Sequence, residues 1–292
     1  MQKAVNPPRF RRAATAVAAA VSALVAVPRQ SNAALYQIQS GNSTISLNPF
    51  ADPSESIAGL YNWTVDGVSQ ARQQDYWIRV NAGGPASELA SLTPIGTPLL
   101  EDLTGNNGAP NYASINYQGT GYTAKATYTL TGDLTGGNFS NLIETIVITN
   151  TGSSNLPVEA VNFNDLNLGN DSDNDSTSIT NAGVSIMQTS ANGWTAAGTA
   201  TPTPNEYTTG AYATLLTGFN TGSAVPLADN ATSSGTDGEA VEYDQTLLSN
   251  NSLIFTVVQT ITGPTVPEPT SISLLGIGSL ILLRPRRRAN RA

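Results

Sequence analysis

Tyr122-Thr123-Ala124-Lys125-Ala126-Thr127-Tyr128-Thr129-Leu130-Thr131 is the stretch whose reading decides the fold. Tyr, Ala, Ala, Tyr and Leu hold its even positions, and Thr, Lys, Thr, Thr and Thr hold the odd ones. Only a strand, whose successive side chains point to opposite faces, sorts these residues into one apolar and one wet face. Tyr122, Tyr128 and Leu130 are therefore expected inward and Lys125 outward. Downstream, Leu142–Thr149 is apolar at both parities, the pattern of a central strand covered on both sides. Asn150-Thr151-Gly152-Ser153-Ser154 closes it with turn chemistry.

Tyr112–Gln118, Leu156–Leu168 and Ser252–Ile261 read as further strands. Between residues 34 and 265 no run of ten or more keeps a 3.6-residue period. Ser87–Leu92 comes nearest, but it is short and stands before Pro94. Asn81–Asn111 and Thr189–Gly210, the latter with Pro202 and Pro204, read as long loops. Short strands bounded by Gly, Asn and Thr turns predict an all-β antiparallel β-sandwich or jelly-roll domain over residues 34–265. A split near Asn150 is the alternative.

The two ends differ from this core. Lys3, Arg9, Arg11 and Arg12 form a basic n-region before the Ala/Val-rich run from Ala13 to Val27. Ser31-Asn32-Ala33 then offers small residues, so residues 1–33 read as a signal peptide with a helical apolar segment, cut by signal peptidase between Ala33 and Ala34. At the other end, Val266-Pro267-Glu268-Pro269 leads into an apolar run from Ser271 to Leu283 and then Arg284-Pro285-Arg286-Arg287-Arg288. The run predicts a short hydrophobic helix, yet a bilayer span needs ~20 residues, so 271–283 would insert only as a transient anchor. The prolines keep the preceding backbone extended and open to a protease.

Pro267, Glu268 and Pro269, the hydrophobic stretch and the terminal arginines together resemble the PEP-CTERM sorting signal of bacterial envelope and biofilm proteins. The resemblance implies that residues 266–292 are removed at this motif by an exosortase, and that the protein rests at the cell surface, outer envelope or extracellular matrix. A second likeness lies in the core. Asn62-Trp63-Thr64-Val65-Asp66-Gly67-Val68, followed by Gln73-Gln74-Asp75-Tyr76-Trp77-Ile78-Arg79-Val80, resembles the opening of a group of uncharacterised secreted PEP-CTERM proteins. It continues through Phe163-Asn164-Asp165 and Tyr243-Asp244-Gln245, and it implies no activity. Trp63, Tyr76 and Trp77 are expected in the core, and Arg79 beside a carboxylate.

Charge and composition narrow the function. The chain carries 13 basic and 21 acidic residues, but five basic residues precede Ala34 and five follow Leu283. The part between keeps Arg72, Arg79 and Lys125 against all 21 carboxylates. Such a surface repels nucleic acid and anionic lipid and attracts cations. Without Cys or His there is no disulfide, no thiolate, no Ser-His-Asp triad and no His-bound zinc. Asp171, Asp173 and Asp175 alternate in Asn170-Asp171-Ser172-Asp173-Asn174-Asp175-Ser176 and are candidate calcium ligands, short of the EF-hand pattern at its sixth and twelfth positions. Asp229, Asp237, Glu239, Glu242 and Asp244 read as a loose acidic loop.

No catalytic constellation is visible, so the reading is a non-enzymatic structural protein of the envelope or matrix, associated with exopolysaccharide. A carbohydrate-binding module is the first alternative, and burial of Trp63, Trp77 and Trp194 would count against it. A carboxylate-dependent glycosidase is the second and needs two carboxylates facing across a cleft.

Overall fold

A computed structural model describes residues 35–50, 58–81, 86–105, 108–171, 175–220, 227–235 and 237–264. Residues 1–34 and 265–292, with the expected signal peptide, both expected processing sites and the apolar run 271–283, lie outside the described residues, as does Asp173. None of the described helices is long and apolar enough to cross a membrane.

The chain shuttles between two antiparallel sheets. β1 (Tyr36–Ser40), β2 (Ser43–Asn48), β3 (Gly59–Val65), β4 (Val68–Val80) and β5 (Ser87–Glu88) start the first sheet. The chain crosses to the second with β6 (Thr93–Pro94), β7 (Leu99–Glu101), β8 (Tyr112–Gly119), β9 (Tyr122–Gly132) and β10 (Phe139–Asn150). β11 (Leu156–Leu166) returns to the first; β12 (Asp175–Thr180), β13 (Ser185–Thr189) and β14 (Thr195–Thr201) extend the second. β15 (Glu206–Ala211), helix α1 (Tyr212–Asn220), β16 (Thr232–Gly235), β17 (Asp237–Leu247) and β18 (Ser252–Thr262) complete the fold. The first sheet has eight strands in the order β1-β2-β3-β4-β11-β17-β15, with β5 beside β4. The second has ten, in the order β16-β12-β13-β14-β18-β10-β9-β8-β6, with β7 beside β8. The all-β sandwich is thus the fold of the protein.

Alternation builds the core, as expected of half-buried strands. Tyr122, Tyr128 and Leu130 of β9 are buried and Lys125 is exposed. Ile38, Ile45, Trp63, Tyr76 and Ile78 of the first sheet meet Ile146, Leu253 and Phe255 of the second in one cluster. The two layers are tied by specific contacts. The Trp63 indole N–H donates to Ser140 Oγ at 2.9 Å, and Phe255 stacks on Tyr243 at 4.4 Å between ring centroids.

Three readings of the sequence are corrected. β10 is central but covered on one face only, because among the described residues nothing packs on the outside of the ten-stranded sheet and Ile143 stays exposed. The stretch Thr189–Gly210 is not a loop, since it holds β14 and most of β15. Their Ala, Gly and Thr residues give little apolar contrast, yet Ala196 and Ala200 are buried. Lastly, Asp237–Leu247 is a full strand between β11 and β15, and Glu239 and Glu242 are buried in it.

Candidate carboxylate cleft

The register of β11 between β4 and β17 assembles the site. Glu159 lies opposite Arg79 on one side and Asp244 on the other. One rung further along, Val161 lies opposite Trp77 and Glu242, and Glu242 lies opposite Glu206 of β15. Directly opposed residues have Cβ atoms ~5 Å apart, so the outer face of the eight-stranded sheet gathers four carboxyl groups around one guanidinium. Arg79 Nη1 donates to Glu159 Oε2 at 2.7 Å, the partnership expected for Arg79. Its Nε is buried without a hydrogen-bond partner. The carboxylate oxygens of Glu159, Glu242 and Asp244 lie within 4.8 Å of one another.

Like charges placed opposite one another destabilise a sheet, and the titration behaviour reflects it. Burial, and then the neighbouring Glu159, Asp244 and Glu206, push the Glu242 carboxyl up to about 8, against the pull of Arg79. Glu159 is also raised, by burial first, with Arg79 opposing. At neutral pH Glu242 therefore holds its proton for most of the time and can donate.

Above this rung opens a cleft of about 330 Å³ lined by Arg79, Asn81, Glu159, Asp244 and Gln245, with Pro157, Val158 and Thr246. Its amides and guanidinium donate, and its carboxylates accept. That volume is at the small end of ligand sites. Glu242 does not line it.

Beside the cleft the same face is apolar. Trp77, Val161, Phe163 and Ala240 form a second cluster, roofed by Leu215 and Phe219 of α1 and by Leu227. Trp77 and Phe219 rings are 5.2 Å apart. Gly238 fits this packing, because a Cβ there would meet the Phe163 ring at 2.7 Å.

Trp63, Trp77 and Trp194 are 0%, 2% and 8% exposed, so none forms a sugar-stacking platform. Of the candidate calcium ligands, Asp175 is buried in β12, where Oδ2 accepts from Leu168 N at 3.2 Å and Gln188 Nε2 at 2.9 Å. Asp171 is half-buried just before the undescribed 172–174. The structure does not bring these two together into a metal cluster among the described residues.

Sequence reasoning passed over Glu242 and Asp244 as loop residues. The missed signal was their alternation with Val241 and Tyr243, both buried on the opposite face.

No protein-family model matches the sequence, and no curated protein matches it either. Among solved structures, a bacterial glucoamylase complexed with acarbose superposes with a TM-score of 0.55 at 13% identity. The match covers 84% of this chain and 34% of the glucoamylase chain. A proposed aldose 1-epimerase from Escherichia coli K12 superposes at a TM-score of 0.48 and 9% identity, over 79% of this chain and 99% of that one. At these identities the likeness is one of fold, and this chain spans about a third of the glucoamylase's length. The class defined is an antiparallel β-sandwich of the architecture found within that glucoamylase.

Proposed function

We propose that the protein is an exported envelope or matrix component whose sandwich binds carbohydrate at the carboxylate cleft. The observation that carries this reading is the cleft itself. Arg79, held by Glu159, lines it together with the Asn81 and Gln245 amides and the Asp244 carboxylate. Sugar hydroxyls are donors and acceptors at once, and charged partners make the stronger hydrogen bonds to them. The architecture shared with a carbohydrate-active enzyme supports the same class of ligand. Because the three tryptophans are buried, recognition here is polar rather than by stacking.

Binding without turnover is the favoured form. Glu242, the carboxyl of this cluster that keeps its proton at neutral pH, does not line the cleft. Export follows from the two ends of the sequence, with signal peptidase acting between Ala33 and Ala34 and an exosortase at Pro267-Glu268-Pro269. Calcium at Asp171, Asp173 and Asp175 is a further proposal, read out as a Ca²⁺-dependent rise in Tm that Asp173→Ala abolishes.

A glycan array tests the central reading. The purified protein should retain a defined set of oligosaccharides, and Asp244→Asn and Arg79→Gln should each weaken binding at least tenfold. Hydrolysis of a bound oligosaccharide, lost in Glu242→Gln, would replace the binding reading by a glycosidase. Retention unaltered in both cleft variants would remove the cleft from the account.

A further inference from the structure

Charge is segregated between the two outer faces. The outward positions of β4, β11, β15 and β17 carry Arg79, Glu159, Asp165, Glu206, Glu242 and Asp244. Among the described residues, the outward positions of β8, β9, β10, β12, β13, β14 and β18 carry one charged side chain, Lys125; Glu101 sits on edge strand β7. In a core (residues 34–265) with three cations and 20 carboxylates, a ten-stranded sheet presenting almost no charge is not what composition alone produces.

Its outward rows are hydroxyls instead. One row across four strands reads Thr127, Thr145, Thr256 and Thr201, continued on β8 by the buried Ser114. Another reads Phe139, Thr262, Thr195, Thr189, Ser176 and Ser234. The hydroxyls order one another: Thr145 and Thr256 are 2.9 Å apart, Thr149 and Ser252 2.7 Å, and Ser176 and Thr189 2.8 Å. Apolar groups stand among them. The large hydrophobics that strands leave exposed, Leu99, Phe139, Ile143, Met187 and Ile254, all belong to this sheet. Phe139 is the one exposed phenylalanine of the described residues.

We infer that the outer face of the ten-stranded sheet is a second docking surface, for an extended uncharged polysaccharide. This rests on the proposed reading only for the class of partner; the surface and its residues are separate from the cleft. Uncharged meets uncharged, so neither side has an ion to desolvate. Threonines fixed at χ1 and hydrogen-bonded to one another present methyl and hydroxyl groups at ~4.8 Å across strands, with little rotamer entropy left to lose. A polymer has the matching repeat of hydroxyls and C–H faces, and many weak contacts along it add up by multivalency. Five strands of this face span on the order of 800 Å², one partner's share of a specific interface. A second copy fits less well, because two strongly acidic molecules repel.

The test is adsorption of the purified protein to microcrystalline cellulose and to chitin. Wild type should adsorb to at least one of them. Thr145→Asp and Thr145→Lys should both lower the partition coefficient about tenfold, while Gln37→Glu, on exposed edge strand β1 of the other sheet, leaves it unchanged. Circular dichroism and Tm of each variant confirm folding, since Thr145 points outward. Loss in Thr145→Asp with gain in Thr145→Lys would assign the face to an anionic partner and overturn the proposal. So would a wild-type dimer that Thr145→Asp dissociates in sedimentation, or a wild type that adsorbs to neither polymer.

Discussion

Glu144 is buried between the sheets, and among the described residues no cation pairs with it. Tyr76 Oη lies 2.8 Å from its Oε2, Gln74 Nε2 donates to its Oε1, and Gln74 bonds Gln259 Oε1 at 3.2 Å. Burial pushes this carboxyl from its ordinary 4.5 up to about 8, with the Tyr76 hydrogen bond opposing. At neutral pH it is therefore a neutral acid, which avoids the cost of an unpaired buried charge. A carboxyl with a raised folded pKa holds more protons folded than unfolded. Stability then falls as pH climbs from about 4.5 toward 8 and levels off above. Glutamine stands in for the neutral acid, its amide oxygen accepting from Tyr76 Oη as the carboxyl Oε2 does. The Tm advantage of Glu144→Gln over wild type should grow from pH 5 to 8 and then stop growing. A constant difference across that range would show that Glu144 is not the titrating group.

At the scale of elements, α1 is the clearest case for mutation. Tyr212, Leu215, Leu216 and Phe219 fall at i, i+3, i+4 and i+7, so one face of the helix covers Trp77 and Phe163. Phe219→Ala should cost about 3 kcal/mol, the low end for a phenylalanine truncation in a core, and shift Trp77 emission to the red. A loss below about 1 kcal/mol would mean the roof contributes little. This helix was legible only in retrospect: nine residues is less than three full turns, and Pro204 and Gly210 before it read as loop. Strands β8, β9, β10, β11 and β18 were legible because each is a run of eight or more residues rich in large apolar side chains, strictly alternating with polar ones in β9. β14 and β15 were not, because alanine and glycine carry too little hydrophobic contrast. The cleft was half legible. Arg79 and its carboxylate partner followed from composition, whereas the meeting of Glu159 with Asp244 depends on strand register, a long-range property that no local pattern encodes.

Taken as a molecule, the sandwich separates a charged face from one whose strands present a single charged side chain, Lys125, among the described residues, and the proposed processing at the two chain ends is a prediction at this scale. Mass spectrometry of the native protein should find a mature chain starting near Ala34 and lacking the segment from Ser271 onward. Glu268→Ala should leave the tail attached and the protein with the inner membrane; surface-exposed wild type still carrying Arg284–Ala292 would contradict processing. Carbohydrate binding at the carboxylate cleft remains the central claim, and locating a bound sugar tests it most directly. Hydrogen exchange of the protein, with and without its best glycan-array ligand, should show protection concentrated at residues 79–81, 157–159 and 244–246. Protection confined to other strands, or no change under saturating ligand, would contradict it.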